Sequence, residues 1–177
     1  MSTPGVGTVP SGAGSAQPLP VGSAMPEFAA RNQYGETVRS ADLHGAASWV
    51  MFYPFAFSRV CGAELAQLHA RWSEVAAHDV RVLAVSCDAM HSLRAYAEHL
   101  QDQAGAQGEP VGFDLLSDFW PHGEISAAFG AFDADLGASQ RVSFFCDAEG
   151  RIRHIQQAEL SEERELDQAL ELLAQLS

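Results

Sequence analysis

The stretch Trp49-Val50-Met51-Phe52-Tyr53-Pro54-Phe55-Ala56-Phe57-Ser58-Arg59-Val60-Cys61-Gly62-Ala63-Glu64-Leu65 constrains this chain more than any other. It begins as an apolar run of the kind that forms a buried strand. Pro54 stops the strand, because proline cannot donate to a ladder. Ser58 then opens a helix with Leu65, Leu68, Trp72 and Val75 at helical spacing. Cys61 therefore sits in the first turn, where unpaired N–H groups and the positive end of the helix dipole stabilise an anion. A cysteine so placed is expected to have a depressed pKa, roughly 3.5–7.5 against about 8.5 when free. The thiolate is the nucleophile, so the position suggests chemistry. The plain alternative is a small buried hydrophobe near a helix start.

Composition narrows the partners. The formal charge is −13. A phosphate backbone or an anionic membrane surface is repelled, so neither nucleic acid nor membrane is an expected partner. There is no lysine, and all ten fixed cations are arginines. Any fixed positive charge near a cysteine must come from arginine or from a helix end. Three cysteines in a chain of this length do not form a secreted disulfide framework. The first cation is Arg31 and no apolar h-region precedes it, so no signal peptide is expected. No run approaches the roughly 20 apolar residues of a membrane span. A reducing, cytoplasmic setting is the expectation.

Residues 1–23 are rich in Gly, Pro, Ser, Thr and Ala and read as a disordered tail. The remainder, 24–177, suits one domain with one core. Asn32-Gln33-Tyr34-Gly35 joins two short strands in a hairpin, and Ser40-Ala41-Asp42-Leu43 reads as a turn or short helix. Trp49–Tyr53 is a central strand and Cys61 to about Ala77 a long helix. Val80–Ser86 is a strand apolar enough for a parallel, doubly covered position. His91–Gln103 is a helix, Gln103–Pro110 a polar loop, Phe113–Leu116 a strand, and Gly123–Phe129 a helix closed by Gly130. Arg141–Cys146 and Arg151–Gln156 form a hairpin around Asp147-Ala148-Glu149-Gly150. Ser161-Glu162-Glu163-Arg164 reads as a capping start to a last helix carrying Leu166, Leu170, Leu173 and Leu176. The alternation predicts an α/β layer architecture with antiparallel edge strands. Periodicity alone leaves several mixed α/β folds open.

Pro54-x-x-x-Ser58-x-x-Cys61 matches the peroxiredoxin active-site pattern, in which the serine position is more often threonine. Downstream come Leu116-Ser117-Asp118-Phe119-Trp120-Pro121-His122-Gly123, Ala128-Phe129-Gly130, and Arg141 ahead of Phe144-Phe145-Cys146-Asp147-Ala148-Glu149-Gly150. In that order the chain resembles the one-cysteine peroxiredoxins of the alkyl hydroperoxide reductase E type, from about Met25 to the C-terminus. The resemblance implies a thioredoxin-like fold with an N-terminal hairpin and peroxiredoxin-type insertions. It implies a thiol peroxidase in which Cys61 becomes a sulfenic acid, with a hydroperoxide as substrate and a low-molecular-weight thiol or redoxin as reductant. A homodimer is implied as well, and no cofactor is required.

Each candidate residue has two readings. Ser58 caps the helix; by resemblance it also bonds the thiolate and the peroxide, which a hydroxyl that both donates and accepts can do. Pro54 terminates the strand and resembles the family proline that shields the sulfur from bulk water. Arg141 is either a solvated residue at a strand edge or, by resemblance, the catalytic arginine that holds the thiolate charged and donates to the peroxide oxygens. Arg59 is closer in sequence but falls at a variable position of the pattern. Glu64, one turn after Cys61, is a first-turn acid or a carboxylate that orients an active-site arginine. Phe55, Phe57, Phe119 and Trp120 read as apolar walls. Cys146 reads as core. Cys87 ends the strand next to the one before Cys61, at the edge where sites collect, and is a candidate resolving cysteine. No histidine or cysteine spacing suits a metal. A dithiol oxidoreductase requires Cys-x-x-Cys, and Glu64 occupies the partner position. A peroxide sensor or scaffold of the same fold is the remaining alternative.

Overall fold

A computed structural model describes residues 16–103 and 109–176. The hairpin strands β1 (Ala29–Arg31) and β2 (Thr37–Arg39) are antiparallel. Strands β3 (Ala47–Phe52), β4 (Val80–Ser86) and β5 (Asp114–Ser117) run parallel to one another. A two-stranded ladder, β6 (Phe132–Asp133) with β7 (Ala138–Ser139), is too short to leave an alternating pattern in the sequence. Strands β8 (Val142–Cys146) and β9 (Ile152–Gln157) are antiparallel. Seven strands make one sheet in the order β2-β1-β5-β4-β3-β8-β9. The helices are α1 (Arg59–Ala70), α2 (Trp72–Ala76), α3 (Met90–Gln103), α4 (Glu124–Ala128) and α5 (Leu166–Ala174), and residues 40–43 form a 3-10 turn. No helix among the described residues is long and apolar enough to cross a membrane.

Strand β3 is central and buried on both faces, which its unbroken apolar run requires. Successive side chains alternate between two cores. Trp49, Met51 and Tyr53 pack with α1, α3 and α5. Val50 and Phe52 pack on the opposite face with Phe129, Phe144 and Ile125. The α/β layers read from the sequence are observed, in the thioredoxin-like arrangement that the family resemblance implies.

Three expectations need correction. Residues 16–23, read as the end of a disordered tail, are tied to the body. Leu19 N donates to Phe129 O at 3.0 Å, Gly22 N to Ile152 O at 2.7 Å, and Gln140 Nε2 to Ala16 O at 3.0 Å. The low-complexity composition hid them, because their bonds are made by backbone groups that composition does not report. The rest of the expected tail, residues 1–15, lies outside the described residues, as does most of the loop expected over 103–110.

The long helix divides at Arg71 into α1 and α2. Trp72 then turns over Gly112, where a Cβ would stand 2.1 Å from the indole, and packs on Phe113 at a ring separation of 5.9 Å. The last helix begins at Leu166 rather than Ser161. Arg164 is drawn out of helical register because its backbone N–H and its guanidinium both bond to Glu64.

Candidate active site

Cys61 occupies the third position of α1, with Ser58 as the N-cap residue. The entry loop is anchored on both sides. Ala56 N donates to Asp88 Oδ2 at 2.8 Å, and Phe57 lies in the left-handed region (φ 61°) with its ring 4.9 Å from that of Tyr96. A non-glycine residue in that conformation persists only where its surroundings hold it there. Ser58 has the extended backbone of an N-cap (φ −70°, ψ 149°), yet its side chain makes no cap hydrogen bond. The expected hydroxyl cap is therefore absent, and Ser58 lines a pocket instead.

Cys61, Glu64, Leu65 and Leu68 are the buried stripe of α1. Glu64 is therefore on the sulfur's side of the helix. Arg141 immediately precedes β8, whose pairing with β3 sets Val142 opposite Phe52. That antiparallel register carries a side chain from eighty positions away to the head of α1. Arg141 Nη2 donates to Cys61 Sγ at 3.3 Å and to Leu160 O at 3.1 Å, while Nη1 donates to Glu64 Oε2 at 2.6 Å.

A second guanidinium completes the cluster. Arg164 donates to Glu64 from Nε (2.9 Å), Nη2 (3.0 Å) and its backbone N (2.6 Å). Its Nη1 donates to Phe52 O at 2.9 Å and Ser143 Oγ at 3.2 Å. Both arginine–glutamate pairs are dry, with every side chain at 2 % exposure or less. Burial alone pushes the Glu64 carboxyl up. The hydrogen bonds and charge of Arg164, with Arg141 behind them, outweigh burial and hold it below its ordinary value. Two guanidinium groups share one carboxylate, so one positive charge is left beside the sulfur.

Arg164 escaped the sequence reading, since a charged run before a helix looks like a cap. A signal was present: Arg164 is the one arginine between Arg153 and the end of the sequence. Asp88, which anchors the entry loop, carried no such signal.

A pocket of about 190 Å³ opens above this cluster, walled by Pro54, Phe55, Ser58, Val60, Arg141 and Leu160. Cys61 is fully buried, one hydrogen bond behind Arg141. Arg59 is exposed at the rim. Phe57 covers Tyr96, and Phe119 and Trp120 line a separate groove with Ala30 and Met90. Of the four aromatics read as walls, only Phe55 lines this pocket.

The structure does not bring Cys87 to Cys61. Cys87 follows the last residue of β4, and its Sγ lies 3.8 Å from Ser139 Oγ, whereas Cys61 Sγ meets Arg141. Burial, opposed only in part by Ser139, pushes its thiol up. Cys146 is fully buried in the core, as expected. All three cysteines are free thiols. Among the described residues no group of three potential metal ligands is present.

Known proteins resemble this chain in sequence and in fold. Residues 21–155 match the model of the AhpC/TSA family. Alkyl hydroperoxide reductase E of Mycobacterium tuberculosis is 34% identical over 148 residues, covering 83% of this chain and 91% of the relative. Peroxiredoxin Bcp of Escherichia coli is 32% identical over 146 residues, covering 78% and 85%. Among solved structures, a peroxiredoxin 6 mutant of Arenicola marina superposes with a TM-score of 0.80 at 18% identity, covering 88% of this chain and 72% of that one. The structural likeness carries the fold, and the sequence matches carry the family: the chain belongs to the AhpC/TSA family and is a peroxiredoxin, a thiol-dependent peroxidase.

Proposed function

We propose that Cys61 is the peroxidatic residue and that the enzyme works by a one-cysteine mechanism. The Cys61 thiolate attacks the terminal oxygen of a hydroperoxide, the O–O bond breaks, and water or an alcohol leaves after taking a proton. Cys61 is left as a sulfenic acid. Arg141 donates to the peroxide oxygens as charge moves onto the leaving atom. Ser58 supplies a hydroxyl that bridges sulfur and peroxide, and Pro54 covers the sulfur against bulk water. Glu64 acts as a positioning residue, because it bonds Arg141 and fixes the orientation of the guanidinium. An external thiol or redoxin then reduces the sulfenic acid in two exchange steps.

The observation that carries this reading is the 3.3 Å contact between Arg141 Nη2 and Cys61 Sγ. The apolar walls Pro54, Phe55, Val60 and Leu160 favour an organic hydroperoxide, in keeping with the printed name of the mycobacterial relative. Three buried free thiols favour a reducing compartment, the cytoplasm. A homodimer is supported by the exposed Phe119 and Trp120, the latter 83% exposed. The test is intact mass after one equivalent of peroxide. Wild type gains one oxygen, located to Cys61 by peptide mapping, and Cys61→Ser consumes no peroxide. Wild-type turnover by Cys61→Ser sinks the assignment. Sedimentation of the wild-type protein tests the dimer, and a monomer at micromolar concentration removes it.

A further inference from the structure

A fully buried hydroxyl near Cys61 has no part in the chemistry above. Tyr96 lies on the buried face of α3 with Leu93, Ala97 and Leu100, and shares a core with Cys61 and Tyr53. Its ring is 4.9 Å from that of Phe57 and 6.4 Å from that of Tyr53. Its Oη faces the first turn of α1: a Cβ added at Gly62, the residue after Cys61, would stand 4.0 Å from it. Among the described residues Tyr96 Oη has no hydrogen-bond partner. A buried hydroxyl left unpaired is costly, so any state of the enzyme that supplies an acceptor is favoured. Tyr53 carries the other buried phenol of this core and has the Ser86 side chain as its polar neighbour.

The charged and titratable groups around Tyr96 come from several elements. Cys61 and Glu64 lie on α1, Arg141 precedes β8, Asp88 follows β4, Tyr53 follows β3, and His99 lies one turn further along α3. Burial pushes the Tyr96 hydroxyl up, and the charges of Cys61, Glu64 and Asp88 push it further, against Arg141. Tyr96 therefore keeps its proton at neutral pH and has it free to donate.

We propose that Tyr96 Oη donates to the oxygen that Cys61 acquires, and so favours the ionised form of the sulfenic acid. The proposal rests on Cys61 being the peroxidatic residue. In the reduced protein the sulfur bonds Arg141 and not Tyr96. The added oxygen extends the side chain by one bond, and rotation about Cβ–Sγ turns it from the pocket towards α3. A hydrogen bond to a charged oxygen favours ionisation. The sulfenate is the form that reacts with a second hydroperoxide. Its sulfur attacks the terminal oxygen, an S–O bond forms, the O–O bond breaks, and the leaving oxygen takes a proton and departs as water or an alcohol. The sulfur gives two electrons to the peroxide and Cys61 becomes a sulfinic acid. Tyr96 thus sets the pH above which excess peroxide inactivates the enzyme, without acting on the first oxidation.

The experiment separates the first oxygen from the second. Wild type and Tyr96→Phe are oxidised with one equivalent of peroxide, then given excess peroxide without thiol along a pH series. The two-oxygen form is followed by intact mass. Phenylalanine keeps the ring and removes only the hydroxyl, so the first oxygen is expected to arrive at the wild-type rate. The midpoint of the pH profile for the second oxygen is expected to rise by about one unit in Tyr96→Phe, as befits the loss of one hydrogen bond to a charged group. Tyr53→Phe, which removes the neighbouring buried hydroxyl, leaves that midpoint in place. A midpoint unmoved in Tyr96→Phe, or moved equally by Tyr53→Phe, overturns the proposal alone. A crystal structure of wild-type protein after one equivalent of peroxide tests the contact without a variant. Tyr96 Oη within about 3 Å of the oxygen on Cys61 supports the proposal, and an oxygen bonded only to other groups overturns it. A protein that never gains oxygen at Cys61 overturns the underlying reading, and the proposal falls with it.

Discussion

Two buried polar clusters flank the sheet, each beside a thiol. On the α1 face, Glu64 accepts hydrogen bonds from two guanidinium groups, and one of these also reaches Cys61. On the other face, Asp118 accepts from Ile125 N, Ser126 N and Ser126 Oγ, at 2.9, 2.8 and 2.7 Å. Ser126 Oγ meets Ser139 Oγ at 2.7 Å, and Ser139 meets Cys87. The carboxyls are about equally dry but shift in opposite directions. Glu64 is held below its ordinary value, while burial, only partly opposed by its hydrogen bonds, pushes Asp118 up. The difference is formal charge in the partners. Neutral donors satisfy a buried carboxylate; two arginines satisfy it and leave positive charge over. Only one of the two thiols has that charge against it.

The contrast breaks most visibly at Glu64. Glu64→Gln leaves two buried guanidinium groups without an anion and is expected to lower stability by about 3–5 kcal/mol, measured by denaturant unfolding. Next is Arg141→Met, which removes the donor at the sulfur. Peroxide consumption under a fixed thiol supply is expected to fall about 10²–10³-fold, while the fold survives as judged by circular dichroism. Across the sheet, Asp118→Asn removes one acceptor from a neutral network. It is expected to cost about 1–3 kcal/mol of stability and to leave peroxide consumption at the wild-type rate.

Acid sharpens the same comparison through opposite signs. Glu64 has a lowered folded value, so its contribution to stability is complete above the unfolded glutamate value of about 4.3 and fades as pH falls through the folded value. Asp118 has a raised folded value, so its contribution is complete below the unfolded aspartate value of about 3.9 and fades as pH rises through the folded value. On acidification the stability gap between wild type and Glu64→Gln narrows, and the gap between wild type and Asp118→Asn widens. Parallel denaturant titrations along a pH series check both. The smallest effect belongs to Cys87→Ser. It is expected to give the same peroxide consumption and the same one-oxygen mass gain as wild type. An internal disulfide present in wild type and lost in this variant would contradict the separation of the two thiols.

The backbone was legible in the sequence wherever a local rule had no competitor. β4 stands at Val80–Ser86 as read, and the hairpin around Asn32-Gln33-Tyr34-Gly35 forms with Gly35 at φ 85°. Local rules failed where a distant partner outbid them. Ser161 begins no helix because Arg164 is held by Glu64, one hundred positions earlier. Ser58 sits at the cap position without capping, and residues 16–23 are bonded despite their composition. At the site, the cysteine and its helix position were readable because both follow from Pro54, Ser58 and an apolar period. Arg164 and Asp88 were not, because hydrogen-bond partners across the fold leave no spacing in the chain.

By itself the sequence determined that an apolar strand would run into a helix with a cysteine in its first turn, and that any fixed cation nearby would be an arginine. Which arginine that was, and which thiol it met, was decided by tertiary structure. Antiparallel pairing of β8 with β3 brings Arg141 to Cys61, whereas Cys87, one residue past β4, meets Ser139. The reason is range: capping and periodicity act over one or two turns of chain, whereas charge pairing acts through space, between residues that only the sheet register makes neighbours.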